Sequence, residues 1–410
     1  MLLKVDTEHL GIGMYVSELD RPWTETPYLL QGFFIKEQAD IDEIKKYSKF
    51  VFVDDVKGVE PTVVMNSSPK PKPKPKKLPK NGEGLPERKA VYQDTTTAEE
   101  EMEHAKECHS MLSSELSAIM DAVLNGKQIK LEKAKEAVDG MVDSILRNPD
   151  AFVWLSKLKE EDSYSYSHAI DCSILVISFG RHLGLSKPEL QELAMAGLMF
   201  DIGMMRVPSE IKSKEDDLTD DEFEEIKKHV EYSVDIMTET DGISRESIEI
   251  ARHHHERHDG SGYPLGLEGD QIHVFSRMLA IVDCFDAISS DREYGRIVSP
   301  HAAIKKLYEW GGKEFQEELV EQFIQCLGVY PTGSLVELST GEVGIVLSQN
   351  RLRRLRPRVM LILDPDKEYY EMFPTIDLMM QMEDDEGNAI EIVECPEPSE
   401  YNIDPKTFYI

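Results

Sequence analysis

The hydrophobic pattern along the chain changes period twice. In residues 1–64, short β-like runs (LLKV, YLLQGFFI and KFVFVD) are divided by turn signals at Gly11, Gly13, Pro22 and Pro27, which predicts a small α+β module. From about Thr97 the period becomes helical, with Met102, Ala105, Met111, Leu112, Leu116, Ile119, Met120 and Val123 recurring at three- and four-residue steps and Asn125-Gly126 supplying a stop. Helical segments continue to about Gly328, and Pro149, Pro188, Pro208, Pro264 and Pro300 mark loops or helix starts between them. After Tyr330-Pro331 the runs GSLVEL, GEVGIVL and RVMLIL are short, β-branched and divided by Gly and Pro, so a small β-rich tail is expected.

A chain of 410 residues exceeds one hydrophobic core. The expected parts are a module at 1–64, a linker at 65–96, a helical connector at 97–160, a helical domain at 161–330 and a β-rich tail at 331–410. The linker rests on Ser67–Lys76, where Pro alternates with Lys and removes backbone donors and apolar surface together. Such a basic run can touch anionic lipid or nucleic acid, but a solvated spacer explains it without a partner.

The formal net charge of -32 argues against wrapping duplex nucleic acid, because the long-range field repels a polyphosphate. A small anion can still be held locally by Arg side chains or by a bound cation. Cys108, Cys172, Cys284, Cys326 and Cys395 are scattered without a CxxC pair, which predicts free thiols and no thiolate zinc site. No apolar run reaches ~18 residues, and the start MLLKVDTEHL meets Asp6 and Glu8 early. A cytoplasmic protein without a transmembrane segment is therefore expected.

Candidate chemistry concentrates in Ala251–Pro264, ARHHHERHDGSGYP, where four His, a Glu and an Asp lie between His253 and Asp259. Adjacent His at a helix end can present imidazoles to one point while Gly260-Ser261-Gly262 lets backbone approach. Taken alone, the segment reads equally well as a polar helix terminus followed by a turn. His168 lies on a helix whose other face is apolar, Asp201 ends the apolar run Leu193–Phe200, His229 sits in an amphipathic segment, and Asp283 interrupts Met278–Phe285. Acids embedded in apolar helices need partners, and metal or Arg are the candidates.

The string from His254 through Asp259-Gly260-Ser261-Gly262-Tyr263-Pro264 to Leu267, followed by Arg277–Ala287, resembles the signature of the HD-GYP family. The resemblance covers roughly Asp162 to Pro331, and the N-terminal module with its linker is similar to the small domain often found before HD-GYP domains. It implies an all-helical HD-superfamily domain, so the whole chain is expected to be mainly α with a small N-terminal α+β module and a short β-rich tail. It also implies a metal phosphodiesterase of bacterial second-messenger signalling that acts on cyclic di-GMP or 3',3'-cGAMP. Position by position, His168, Asp201, His229, His254, His255 and Asp283 are the implied metal ligands, with Asp201 bridging two ions and Asp201 and His229 serving catalysis. Imidazole with carboxylate suits Fe or Mn, with Zn or Ni admissible. Two such ions can share a hydroxide nucleophile for in-line displacement. Arg292, Tyr263 and Arg277 are the implied substrate contacts, Arg292 as a guanidinium fork on phosphate. A protein partner at the Gly262-Tyr263-Pro264 loop and a homodimer stay open.

The chain departs from the family pattern His-Asp-Ile-Gly-Lys by reading Phe200-Asp201-Ile202-Gly203-Met204. Phe cannot ligate a metal, and Met204 stands where a Lys near the scissile phosphate is expected. The position of an occasional third-metal Glu is Tyr164, so no third ion is expected. Six retained ligand positions favour an enzyme. Phe200 and Met204 favour the alternative, a catalytically impaired protein that senses the cyclic dinucleotide or serves as an interaction module.

Overall fold

The computed structural model describes residues 2–20, 33–35, 38–54, 59, 84–157, 164–214, 218–290, 298–350, 353, 355–384, 386–397, 400, 401 and 403. The chain divides into two compact units, Met1–Asn81 and Gly82–Ile410.

The first unit holds β1 (Leu2–Asp6), β2 (Tyr15–Leu19), β3 (Phe33–Phe34), α1 (Gln38–Tyr47) and β4 (Phe50–Asp54). They form an antiparallel sheet in the order β1-β4-β2-β3. Its inward positions Val5, Val16, Val51 and Val53 pack with Ile41 and Ile44 of the helix. The strand β2 was not among the expected runs. Ser17 and Glu18 dilute its apolar signal, although Val16 and Leu19 are buried. Of the expected run YLLQGFFI, residues 28–32 lie outside the described residues.

The second unit begins with α2 (Ala98–Leu124), α3 (Glu132–Arg147), α4 (Pro149–Lys157), α5 (Tyr164–Leu183) and α6 (Lys187–Met199). There follow α7 (Ser209–Lys212), α8 (Asp220–Lys227), α9 (His229–Glu239), α10 (Arg245–Arg252), α11 (Val274–Ser289), α12 (Pro300–Trp310) and α13 (Glu317–Leu327). Capping boxes start three of these helices: Thr97 with Glu100 before α2, Ser186 with Glu189 before α6, and Thr219 with Glu222 before α8. Gly126, at φ +59°, follows the end of α2 where Asn125-Gly126 was expected to stop it. The helices α5 and α11 pack together at the centre, and Met278 to Val282 are buried without a break. A run apolar on every side marks a helix enclosed by others, so a polar side chain on it must find a partner inside the protein.

Residues 84–92, expected within the linker, instead dock on this unit. Lys89 and Ala90 donate backbone N–H bonds to the Gly184 carbonyl at 2.8 and 2.9 Å, and the Tyr92 hydroxyl donates to Leu185 O at 2.8 Å. The Lys-Pro alternation has ended by this point, and ordinary side chains can pack.

The tail forms β5 (Leu335–Leu338), β6 (Val343–Ser348), β7 (Arg358–Leu363), β8 (Thr375–Asp377) and β9 (Ile392–Glu394). The sheet runs β8-β7-β6-β5-β9, antiparallel throughout, over a core of Leu335, Val343, Ile345, Ile362 and Leu363. Among the described residues, no helix is long and apolar enough to cross a membrane.

Candidate metal centre

Five segments converge on one point. Phe200 and Asp201 follow α6 directly and lead into a 3-10 turn over Ile202–Arg206, and α9 begins at His229. The chain past the end of α10 carries His253–His255, while α5 and α11 contribute His168 and Asp283. Gly203 makes the approach possible. A Cβ there would meet His229 O at 2.1 Å, and the Gly203 N–H donates to Ser233 Oγ at 2.8 Å. Glycine at this position therefore presses the turn against α9 and brings Asp201 to His229.

Asp201, His229, His254 and His255 form one donor cluster, with their ligand atoms all within 4.8 Å of one another. His229 Nδ1–H donates to Ile226 O at 2.7 Å, and His254 Nδ1–H donates to Ala251 O at 2.6 Å. A carbonyl can only accept, so each ring is fixed with Nε2 free for the centre. The two Nε2 atoms lie 3.4 Å apart, and Asp201 Oδ1 is 3.2 Å from one and 3.5 Å from the other. Two imidazole lone pairs and a carboxylate oxygen facing each other repel unless positive charge lies between them. Burial opposes charge on Asp201, but His229 and His254 outweigh it and hold its carboxyl well below the usual range. His229 is shifted upward by the same partner against its own burial. Burial, with His254 and His229 beside it, holds His255 well below the ordinary histidine value.

A second buried cluster comprises His168, Cys172 and Asp283. His168 Nε2 lies 3.1 Å from Asp283 Oδ1, and its Nδ1 lies 2.8 Å from Asp286 Oδ2. A neutral ring has one N–H, so only an added proton or a cation can satisfy both sides. Burial opposes charge on His168, yet Cys172, Asp283 and Asp286 raise its pKa well above the usual value. The other oxygen of Asp283 is 3.8 Å from His255 Nδ1, which links the two clusters through one carboxylate. The donor chemistry of both clusters fits divalent cations.

Phe200, at the position where the resemblance leads one to expect His, is fully buried. Its ring centroid is 4.8 Å from that of His254 and 5.7 Å from that of His168, edge-on to both. Tyr263 lies over His255 with centroids 4.6 Å apart and interplanar angle 30°, while burial and the nearby Asp201 and Asp283 push its phenol pKa well up. Phe223 and Lys227 complete this corner. The Lys227 ammonium is 4.8 Å from the centroid of Phe223 and 5.4 Å from that of Tyr263.

Arg277, one of the expected substrate contacts, is engaged inside the protein. It is buried, donates from Nη1 to Gln316 Oε1 at 2.7 Å and approaches Asp270 at 3.8 Å, so its guanidinium is held as an internal strut. Arg292 and its neighbour Tyr294 lie outside the described residues. Two residues were passed over in the sequence although they lie within the quoted motifs. Asp286 stands three residues after Asp283 on the same face of α11. Glu256 is buried and accepts from Leu265 N at 2.7 Å and Leu267 N at 2.9 Å, which folds the Gly-Tyr-Pro loop back over the cluster. At Gly262 a Cβ would meet Arg257 N at 2.3 Å, so glycine is needed there as well.

The family model "HD domain" matches residues 153–319, a domain of unknown function (DUF3391) matches 2–134, and a "KOW domain associated with HD domain" matches 335–383. A cyclic di-GMP phosphodiesterase of Pseudomonas aeruginosa is 34% identical over 365 residues, 88% of this chain and 84% of the relative. A 3'3'-cGAMP-specific phosphodiesterase of Vibrio cholerae is 34% identical over 35% of this chain and 27% of the relative. The solved structure of an HDG"Y"P protein from Bdellovibrio bacteriovorus is 14% identical, with a TM-score of 0.47 over 79% of this chain and 98% of that one. The HD domain implies divalent-metal binding, and the imidazole and carboxylate donors just described lie inside it. A relative matched along most of both chains, together with the His254–Leu267 signature folded around those donors, establishes that this chain belongs to the HD-GYP family.

Proposed function

We propose that the chain hydrolyses a phosphodiester bond of a cyclic dinucleotide, cyclic di-GMP or 3',3'-cGAMP. Asp201, His229, His254 and His255 would hold one divalent ion, and His168 and Asp283 would hold a second. The observation that carries this reading is the pair of anchored imidazoles, whose Nε2 atoms face each other at 3.4 Å beside the Asp201 carboxylate. Divalent ions there supply Lewis-acid polarisation of the phosphodiester and a nucleophile active at neutral pH. Iron or manganese suits the imidazole and carboxylate donors, with zinc or nickel admissible.

The chain's own residues position the reaction. Ile226 O and Ala251 O lock the tautomers of His229 and His254, and Asp286 orients His168. Asp201 carries negative charge into the centre, where its Oδ1 lies 3.2 Å from His229 Nε2. Tyr263 offers an aromatic face for a purine base, with Phe223 and Lys227 beside it. Arg292 grips a phosphate oxygen, an assignment that rests on its Arg-x-Tyr motif. The Gly262-Tyr263-Pro264 loop is also the proposed contact for a protein partner. Met204 stands where the resemblance places a Lys, and an uncharged side chain there lowers the expected rate.

Phe200 favours a second reading, a sensor that binds the cyclic dinucleotide without cleaving it. Incubating the full chain with each dinucleotide under Mn or Fe and chromatographing the products separates the two. Linear dinucleotide or mononucleotide products support the enzyme. Tight binding with intact ligand supports the sensor, and neither binding nor turnover removes both.

A further inference from the structure

The second cluster contains a donor that the Cys spacing could not indicate. Cys172 lies one helical turn after His168 on α5, so both side chains leave the helix on the same face. Its Sγ is 3.7 Å from His168 Nδ1 and 3.8 Å from His168 Nε2, and Sγ, a ring nitrogen and an Asp283 oxygen lie within 4.8 Å of one another. Two donors on one tetrahedral ion, at ~2.3 Å for sulfur and ~2.0 Å for nitrogen, are about 3.5 Å apart. Nδ1 is taken by Asp286, so Nε2 is the nitrogen open to an ion; the sulfur lies beside the ring at 3.8 Å from it, and coordination requires the thiol to turn toward Asp283. All three residues are buried: His168 is 6% exposed, Cys172 0% and Asp283 7%. On the neighbouring side, Phe200 presents a ring edge with no lone pair to offer.

We infer that Cys172 is a ligand of the second ion, supplying the third protein donor that Phe200 withholds. The inference rests on the two-ion reading above. Burial keeps the Cys172 thiol protonated in the absence of an ion, and coordination displaces that proton to solvent. A centre of one imidazole, one carboxylate and one thiolate is softer than imidazole with carboxylate alone. It selects Zn, Co or Fe over Mn, whereas the cluster of Asp201, His229, His254 and His255 has no sulfur. The two ions of this chain thus differ in their preferred metal.

The test uses the full chain, stripped by chelator and titrated with Co(II) without oxygen. Near-ultraviolet absorption reports thiolate-to-cobalt charge transfer, and elemental analysis counts bound metal. The wild type should bind two equivalents, with the charge-transfer band growing as the second site fills. Loss of a second-sphere partner costs about 10–100-fold in affinity, so Cys172→Ser should abolish the band and weaken the second equivalent by at least about tenfold. His254→Ala, which disables the other cluster, should keep the band. Two bound equivalents with no band in the wild type, or a band unchanged in Cys172→Ser, overturns the inference and leaves the two-ion reading intact. Binding of fewer than two equivalents without a band overturns the two-ion reading, and the inference with it. The wild-type spectrum alone suffices for these decisions should a variant fail to fold.

Discussion

Asp286 accepts a hydrogen bond from His168 Nδ1 at 2.8 Å while itself fully buried, and its second oxygen accepts from Ser290 Oγ at 2.8 Å. The carboxylate therefore fixes the tautomer of His168 and raises the basicity of the nitrogen that faces Asp283. Asp286→Asn preserves size but removes the charge. Metal affinity at the second cluster should fall about 10–100-fold, with the first cluster unaffected. Elemental analysis after dialysis against graded chelator reads both sites, and an equal loss at both would show that the change is a general loosening of the fold.

Glu256 acts on the loop, without touching the metal donors. Its two oxygens hold Leu265 N and Leu267 N, and removing them leaves two backbone donors poorly satisfied, at about 1–3 kcal/mol. Glu256→Ala should retain bound metal but raise KM for the cyclic dinucleotide, with faster amide exchange across Gly262–Leu267. A variant that lost metal in proportion to activity would place Glu256 in the support of the cluster instead.

The α2–α3 pair predicts a pH dependence. Glu101 is buried and accepts from Ser144 Oγ at 2.7 Å, Arg147 Nη2 at 2.6 Å and Arg147 Nε at 2.9 Å. Burial pushes its pKa up, but Arg147 and Ser144 pull harder, so the folded value lies below the ordinary one. A depressed carboxyl contributes its stability in full above the unfolded value, ~4.3, and loses it as pH falls through the folded value. Glu101→Gln should cost about 1–3 kcal/mol at neutral pH, and the gap from wild type should narrow below about pH 4. Thermal melts across that range decide, and a gap that stays constant would mean that Glu101 packs without contributing charge.

Much of the fold was legible because the period of the apolar positions changes where the architecture changes, as at Thr97, which caps α2, and at Tyr330, shortly before β5. The candidate donor cluster was legible for another reason: His254 and His255 adjoin in sequence, and the motif around them is long. What escaped was set by tertiary pairing. Cys172 becomes a donor because His168 is one turn away on a face turned toward Asp283, 111 positions along, and no spacing rule for cysteine pairs reports that. Arg277 sits inside the recognised block, yet Gln316 on the approach to α13 claims its guanidinium. The docking of 84–92 depends on the end of α5, which the linker composition cannot show.

Phe200 is where enzyme and sensor part, and its surroundings define the variant that tests them. The ring has 0% exposure and lies edge-on to His254 and His168, one from each donor cluster. Phe200→His places an imidazole in that space. Without metal it should lower stability by about 1–3 kcal/mol, because a buried polar ring then lacks a partner. With Mn or Fe the deficit should close as the ring finds a cation, so melts in chelator and in metal should differ more for the variant than for the wild type. The metal concentration giving half-maximal turnover should fall by about tenfold for each ~1.4 kcal/mol gained. Met204→Lys should add a cation for the developing phosphate charge. The gain should be modest, because the Lys212 ammonium already donates to Met204 O at 3.0 Å and the new charge enters beside it. Turnover against metal concentration for the wild type, each variant and the double variant completes the test. If Phe200→His retains no more metal than the wild type, the ligand assignment around Phe200 fails whatever the rates show, and if only the variants cleave the dinucleotide, the natural protein is a sensor.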